Sequence, residues 1–200
     1  MQKGEQQRAH LIDVARDLFA AKGYEGTTTR ALNKAAGTSD GLLYYYFPHG
    51  KQDILDTIVR DGLTQRLNEL DVDFSQVTTR EELAARLPAL VTDIWQLFAR
   101  EDNYQSFLIT VRSRMLLSAE GASWVDQYTS AMQERILHEL QAVGPLLDYT
   151  PTQLTVLASV ITALVIAPLF VDLLLRNQRQ LDEAKLAMLK QQVRLVLCCE

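Results

Sequence analysis

Residues 23–51 read GYEGTTTRALNKAAGTSDGLLYYYFPHGK, and this stretch decides the fold. Gly23 stops one helix, and the run Thr27, Thr28 and Thr29 supplies hydroxyls able to cap the next. That second helix extends through Ala36, with Leu32, Ala35 and Ala36 facing inward, and Gly37 ends it. Ser39 then caps a third short helix in which Leu43 and Phe47, an i, i+4 pair, share one face. Upstream, Leu11, Ile12, Ala15, Leu18 and Phe19 form one apolar stripe between Glu5 and Lys22. Three helices within about fifty residues, the last two joined by a glycine turn, follow the plan of a helix-turn-helix.

Outward from this segment the periodicity stays helical. A fourth helix is expected from Lys51 to Leu70, then a polar linker from Asp71 to Thr79, then helices over 80–101, 103–118, 122–143, 151–177 and 182–198. Thr150, Pro151 and Gln153 open the eighth with a cap, a first-turn proline and a reciprocal glutamine. No segment alternates like a strand. The reading is an all-α chain of about nine helices, with a domain at 1–50 and a helical body at 51–200.

Charge divides the same way. Residues 1–51 hold seven Lys and Arg against five acids, whereas 52–200 hold thirteen against twenty. The net charge of -5 therefore hides a cationic start that suits a polyanion and an acidic remainder that repels one. Cys198 and Cys199, adjacent at the end, form neither a disulfide framework nor a metal site, and are read as inert residues of a reducing cytoplasm. The first residues, MQKGEQQRAH, lack the apolar stretch of a secretory signal.

The 23–51 segment resembles the DNA-binding signature of the TetR family, on Gly23, Tyr24, Thr28, Arg30, Leu32, Ala36, Gly37, Ser39, Leu43, Tyr44, Phe47 and Lys51. Asn33 stands where a small residue is usual, Leu42 where Thr or Ser often touches the DNA backbone, and the His49-Gly50 loop is one residue longer than the commonest form. The resemblance implies a homodimeric repressor that grips a palindromic operator and is released by a small ligand. It also implies that ligand binding swings the fourth helix and changes the spacing of the two recognition helices. The rival reading is a TetR-like scaffold that binds a small molecule or protein and has no operator; the modest cationic excess and Leu42 keep it open.

The DNA-contact candidates are Thr28, Thr29, Arg30, Ser39, Asp40, Gly41, Leu42, Tyr44, Tyr45, Tyr46 and Lys51. With Leu43 and Phe47 taking the buried stripe, several tyrosines must be exposed, offering hydroxyls to phosphate and rings to thymine methyls. Thr28 to Arg30 sit at a helix N-terminus, where N–H groups attract phosphate. Lys51 opens a helix, where a cation opposes the dipole, so a phosphate partner explains it better than structure does. Asp40, at the first turn of the recognition helix, is either a dipole-stabilising carboxylate or a reader of the cytosine amino group.

Val156 to Leu175 is apolar enough to span a bilayer, but Asp172, Pro168 and the acidic flanks point instead to a helix buried against a partner. The eighth and ninth helices are therefore expected to form a four-helix bundle with a second copy, with Val165 and Val193 in the interface and no membrane involved. A monomer folding both onto itself is the alternative. Trp95, Phe98, Tyr104, Phe107, Leu108, Val111, Arg112, Met115, Trp124, Tyr128, Met132 and Asp172 are the candidate walls of a site for an apolar or aromatic effector, with Arg112 able to meet a ligand anion or Asp172. His10, His49 and His138 are dispersed, and no nucleophile elbow, HExxH or phosphate-cradling loop occurs, so no catalysis, metal or cofactor is expected.

Overall fold

The computed structural model describes residues 3–198, with the side chains of residues 3, 114, 120, 122, 125 and 198 left aside. The cysteine pair thus lies outside the described residues, Cys199 entirely and Cys198 in its side chain. All regular structure among the described residues is helical: α1 Lys3–Lys22, α2 Thr29–Ala36, α3 Asp40–Tyr46, α4 Lys51–Glu69, α5 Arg80–Ala99, α6 Glu101–Arg112, α7 Ala119–Ala142, α8 Gly144–Leu147, α9 Pro151–Pro168 and α10 Glu183–Cys198. A 3-10 turn at Arg114–Leu116 precedes α7, and a π-helical stretch at Leu169–Leu175 continues α9. The short α8 was not expected, so the eighth and ninth helices of the sequence reading are α9 and α10.

Contacts divide the chain into two compact units, one of residues 1–65 and 101–127, the other of residues 66–100 and 128–200. In the first, α1 packs on α2 and α6, and α2 on α3. Leu11, Ala15, Phe19, Leu32, Leu43, Phe47, Ile54, Leu55 and Ile58 are all buried there. The ends of the short helices are held as their sequences require. Gly23 and Gly37 adopt φ of 76° and 62°, a left-handed conformation open to glycine at little strain. Thr28 accepts from the Ala31 N–H at 3.1 Å, and Ser39 from the Leu42 N–H at 3.4 Å. Thr27, fully buried, donates to the carbonyl of Gly23 at 2.9 Å. Ala35, expected inward, is exposed; the buried polar member of α2 is Asn33.

In the second unit, α5 packs on α10 and α9. Thr79 and Glu82 form a capping box at α5, and Thr150 and Gln153 form the expected one at α9. The 71–79 segment is more than a linker: Val72 and Phe74 are buried, and the Phe74 N–H donates to Glu139 Oε2 at 3.1 Å. Arg135 donates to the carbonyls of Leu67 and Leu70 at 2.5 and 2.9 Å, satisfying acceptors at the C-terminal end of α4. Pro168 has no N–H to give the helical ladder, and the chain beyond it shifts to the wider repeat in which Arg176 N–H reaches the Val171 carbonyl at 3.1 Å.

Asp172 sits in that π-helical stretch, buried, and pairs with Arg176 at 2.7 Å and with Lys185. Burial pushes its pKa up, but hydrogen bonds and charges from Lys185 and Arg176 outweigh this and hold the carboxyl below its ordinary value. A carboxylate depressed in the folded state adds stability at neutral pH, and that contribution fades as acid protonates it. Asp172→Asn should therefore melt below wild type at pH 7, with the difference kept down to the ordinary aspartate value of about 4 and shrinking as the pH falls below it. Thermal melting of both proteins across that range checks it.

Candidate nucleic-acid interface

The presentation of α3 defines the site. Its seven residues bury Leu43 completely and carry Tyr44 and Tyr45 at 48% and 76% exposure, with Leu42 and Tyr46 half-buried. A row of side chains standing out from a short helix, backed by an apolar anchor, is what a groove-reading helix needs. The rings are partly fixed: Tyr45 and Tyr46 meet edge to face at 5.1 Å. The Tyr44 ring lies against Gly50, whose φ of 64° makes the turn into α4; a Cβ there would come within 3.1 Å of the ring.

Around this helix the expected contact residues cluster. Thr28 and Arg30 are exposed and Thr29 half-exposed at the start of α2, while Ser39, Asp40 and Gly41 are exposed at the start of α3. The two helix starts thus present free N–H groups alongside hydroxyls, and Arg30 alone of these residues carries a positive charge. Lys51 departs from its expectation. Its ammonium donates to the carbonyls of Tyr24 and Thr27 at 2.9 and 3.0 Å and sits 4.2 Å from the centre of the Tyr24 ring. It thereby closes the loop between α1 and α2, a structural task not foreseen from its place at a helix start. Asp53 supplies the anion at that start instead, accepting from the His49 N–H at 2.8 Å.

Asn33 is the residue that sequence reasoning undervalued. It donates to Asp40 Oδ1 and accepts from the Thr38 hydroxyl at 3.0 Å, joining α2 to the first turn of α3. The signal was present, since a polar amide stood at a small residue's place.

The effector candidates fall into both units. In the first, Tyr104 is buried, Phe107, Leu108, Val111 and Trp124 are half-buried, Arg112 is exposed, and Met115 stands out at 89% exposure. Leu108 and Arg112 line an open cleft of about 320 Å³ with Phe19, Tyr24 and Leu116. Arg60 lies 5.7 Å from the Trp124 ring. In the second unit Trp95, Phe98 and Met132 are core, with Trp95 Nε1 donating to the Arg179 carbonyl at 3.2 Å. Asp172 is committed to Arg176 and Lys185 rather than to Arg112. Arg66, not among the candidates drawn from the sequence, is fully buried 5.2 Å from the Phe98 ring, and burial pulls its pKa down to about 10. The Tyr128 hydroxyl is buried without a hydrogen-bond partner, and its pKa is pushed up to about 12 by burial, against the charges of Arg66 and Arg135.

A short, anchored helix presented beyond a glycine turn on an all-helical chain defines a helix-turn-helix motif. Residues 11–58 match the family model for bacterial regulatory proteins of the tetR family. The repressor KstR2 of Rhodococcus jostii is 35% identical over 92 residues, 44% of this chain and 42% of its own. The chain spans less than half the length of the curated relatives it matches first. Among solved structures, a tetR-family regulatory protein from Rhodococcus RHA1 is 23% identical with a TM-score of 0.66, covering 99% of this chain and 97% of its own. FadR of Bacillus subtilis, solved in complex with stearoyl-CoA, is 18% identical with a TM-score of 0.63, covering 94% and 97%. Residues 11–58 thus carry a tetR-family helix-turn-helix segment, and the chain as a whole shares the fold of solved tetR-family proteins.

Lys51→Met keeps the length of the side chain and removes both charge-assisted hydrogen bonds. It should lower stability by about 1 to 2 kcal/mol in chemical denaturation. A variant as stable as wild type would free Lys51 from this structural task.

Proposed function

We propose that this chain is a ligand-responsive repressor that binds a palindromic operator as a homodimer and leaves it when a small apolar or aromatic effector binds. The observation that carries this reading is α3, whose buried Leu43 and exposed Tyr44 and Tyr45 make it a helix built to be presented to a partner. The working division is a DNA-binding headpiece to residue 50 and an effector and dimerisation body from residue 51. Thr28, Thr29, Ser39 and Tyr44 would hold phosphates, while Arg30, Leu42 and Tyr45 face base edges. Two such helices must lie one turn of DNA apart, about 34 to 36 Å, or a multiple of it. The function would be exercised in the cytoplasm and involves no chemistry on the effector.

The effector reading rests on the aromatic and thioether residues of the body and on FadR, whose partner carries a long acyl chain. The charges of Arg66 and Arg135 beside the Tyr128 hydroxyl favour an effector with an anionic end. α4 is continuous from Lys51, beside the headpiece, to Glu69 in the body, so a shift of its body end would be transmitted to the headpiece. Effector and operator would then oppose one another through a coupling of about 1 to 3 kcal/mol.

The dimer reading rests on an uncovered apolar face: Val156, Ile166, Phe170, Val171 and Leu175 along α9 and its π-helical end, with Met188 and Leu195 on α10. By length and composition 151–175 also meets the requirement for a membrane span. Against lipid stand a buried inner face at Leu157, Ile161 and Val165 and the Asp172 ion pairs, which suit a helix shared between two folded surfaces. Val165 and Val193, the positions the sequence selected for this interface, are buried within their own unit, so acids there would unfold it.

Phe170→Asp with Leu175→Asp should give soluble monomers by light scattering and lose operator affinity; a soluble dimer would remove this interface. Operator binding itself should weaken linearly on a log–log plot against salt, by about 0.9 of a unit in slope per phosphate neutralised. Binding indifferent to salt would favour the interaction-module reading.

A further inference from the structure

Burying an amide side chain is unfavourable unless its polar atoms are paired, and in Asn33, only 7% exposed, both the side-chain oxygen and the side-chain nitrogen have a partner. Its backbone carbonyl accepts from the N–H groups of Gly37 and Thr38, the latter at 2.9 Å, which closes α2. Its side-chain oxygen accepts from the Thr38 hydroxyl at 3.0 Å, and its side-chain nitrogen donates to Asp40 Oδ1. An ionised carboxylate only accepts, so the amide nitrogen must face Asp40 and the oxygen must face Thr38. One residue thus ties the last turn of α2, the connecting turn and the first residue of α3.

The two ends of α3 are held differently. Leu43 at its middle and Phe47 just beyond its far end seat α3 in the apolar core through non-directional contacts. The near end, which carries the exposed residues first to meet a groove, is fixed by directional hydrogen bonds through Asn33. Resting on the DNA-binding reading above, we propose that Thr38, Asn33 and Asp40 form a polar clasp that sets the angle of α3. Asp40 then shapes operator preference as a positioning residue acting through Asn33, and does not read a base itself. Because its carboxylate is turned back toward α2, the base contacts made from α3 are left to Leu42 and Tyr45, and the clasp decides which base pairs those two side chains meet.

The test is selection from a randomised DNA pool by the full-length chain, with melting measured in parallel. Asp40→Asn keeps an oxygen acceptor for Asn33 and removes the charge that phosphates repel. It should enrich the wild-type sequence while binding all DNA more tightly. Asn33→Ala and Asp40→Ala should each change the preferred base at the same positions, by about tenfold in enrichment, on the scale of a good base contact. The double variant should do no more than either single one, because the two residues act as one unit. Thr38→Val, which removes only the hydroxyl, guards against a cavity effect at Asn33 and should shift the same positions.

The opposite pattern overturns the proposal: Asn33→Ala and Thr38→Val keep the wild-type preference, while Asp40→Asn and Asp40→Ala both lose one cytosine in each half-site. That outcome makes Asp40 a direct reader and leaves the DNA-binding reading intact. If wild type itself enriches no sequence, that reading and the clasp fall together. A readout free of DNA separates the two: the Asn33 side-chain amide resonances should move in Asp40→Ala and stay close to wild type in Asp40→Asn, and resonances unmoved by both would sink the clasp alone.

Discussion

A helix of seven residues has no stability of its own in water, because nucleation consumes most of what so few hydrogen bonds return. α3 is such a helix, and the headpiece is organised around keeping it in place. Leu43 and Phe47 anchor one side, Ser39 caps its start, and the left-handed Gly37 sets the turn that delivers it. α2, with Leu32 buried, packs on α3, and Arg8 of α1 lies 5.1 Å from the Phe47 ring. Because the buried side is fully occupied, the residues left outside are free to serve a partner.

Lys51 and Asn33 show how polar groups finish what apolar packing starts. Lys51 gathers the carbonyls of Tyr24 and Thr27, and Tyr24 in turn donates its hydroxyl to Gln52 at 3.0 Å. The loop leading into α2 is thereby bound to the start of α4. Gln52 also donates to the Leu116 carbonyl at 3.0 Å, and Asp56 accepts from the Ser118 N–H at 3.4 Å. The grouping of 101–127 with the first 65 residues follows from these bonds and from the packing of α6 on α1. A division at residue 50, drawn from charge and helix count, could not register them, since each joins residues more than sixty positions apart in sequence.

Asp172 illustrates a different balance. A lone carboxylate in an apolar helix is unfavourable, and here two cations from neighbouring turns and from α10 meet it. Its position next to an exposed apolar face gives that face one polar landmark. Apolar surfaces of this kind slide easily against each other, so a fixed charge cluster beside one is a means of choosing a single register.

The sequence by itself determined the helical class, the headpiece and its caps. These depend on near neighbours: a threonine three residues before an N–H, a glycine after the last turn, an apolar pair four apart. It also singled out α9 as too apolar for a surface helix. Tertiary structure alone decided which face of α9 is inward, placing Val165 inside and Phe170 outside, since a helix apolar all round has no amphipathic pattern to read. It alone showed Arg66 buried, Phe74 packed and Lys51 engaged internally, because charge and hydrophobicity along a chain do not reveal which carbonyls or rings will arrive from elsewhere. And it alone turned Asp40 toward Asn33, seven residues away across a turn, where the sequence offered only a carboxylate at a helix start.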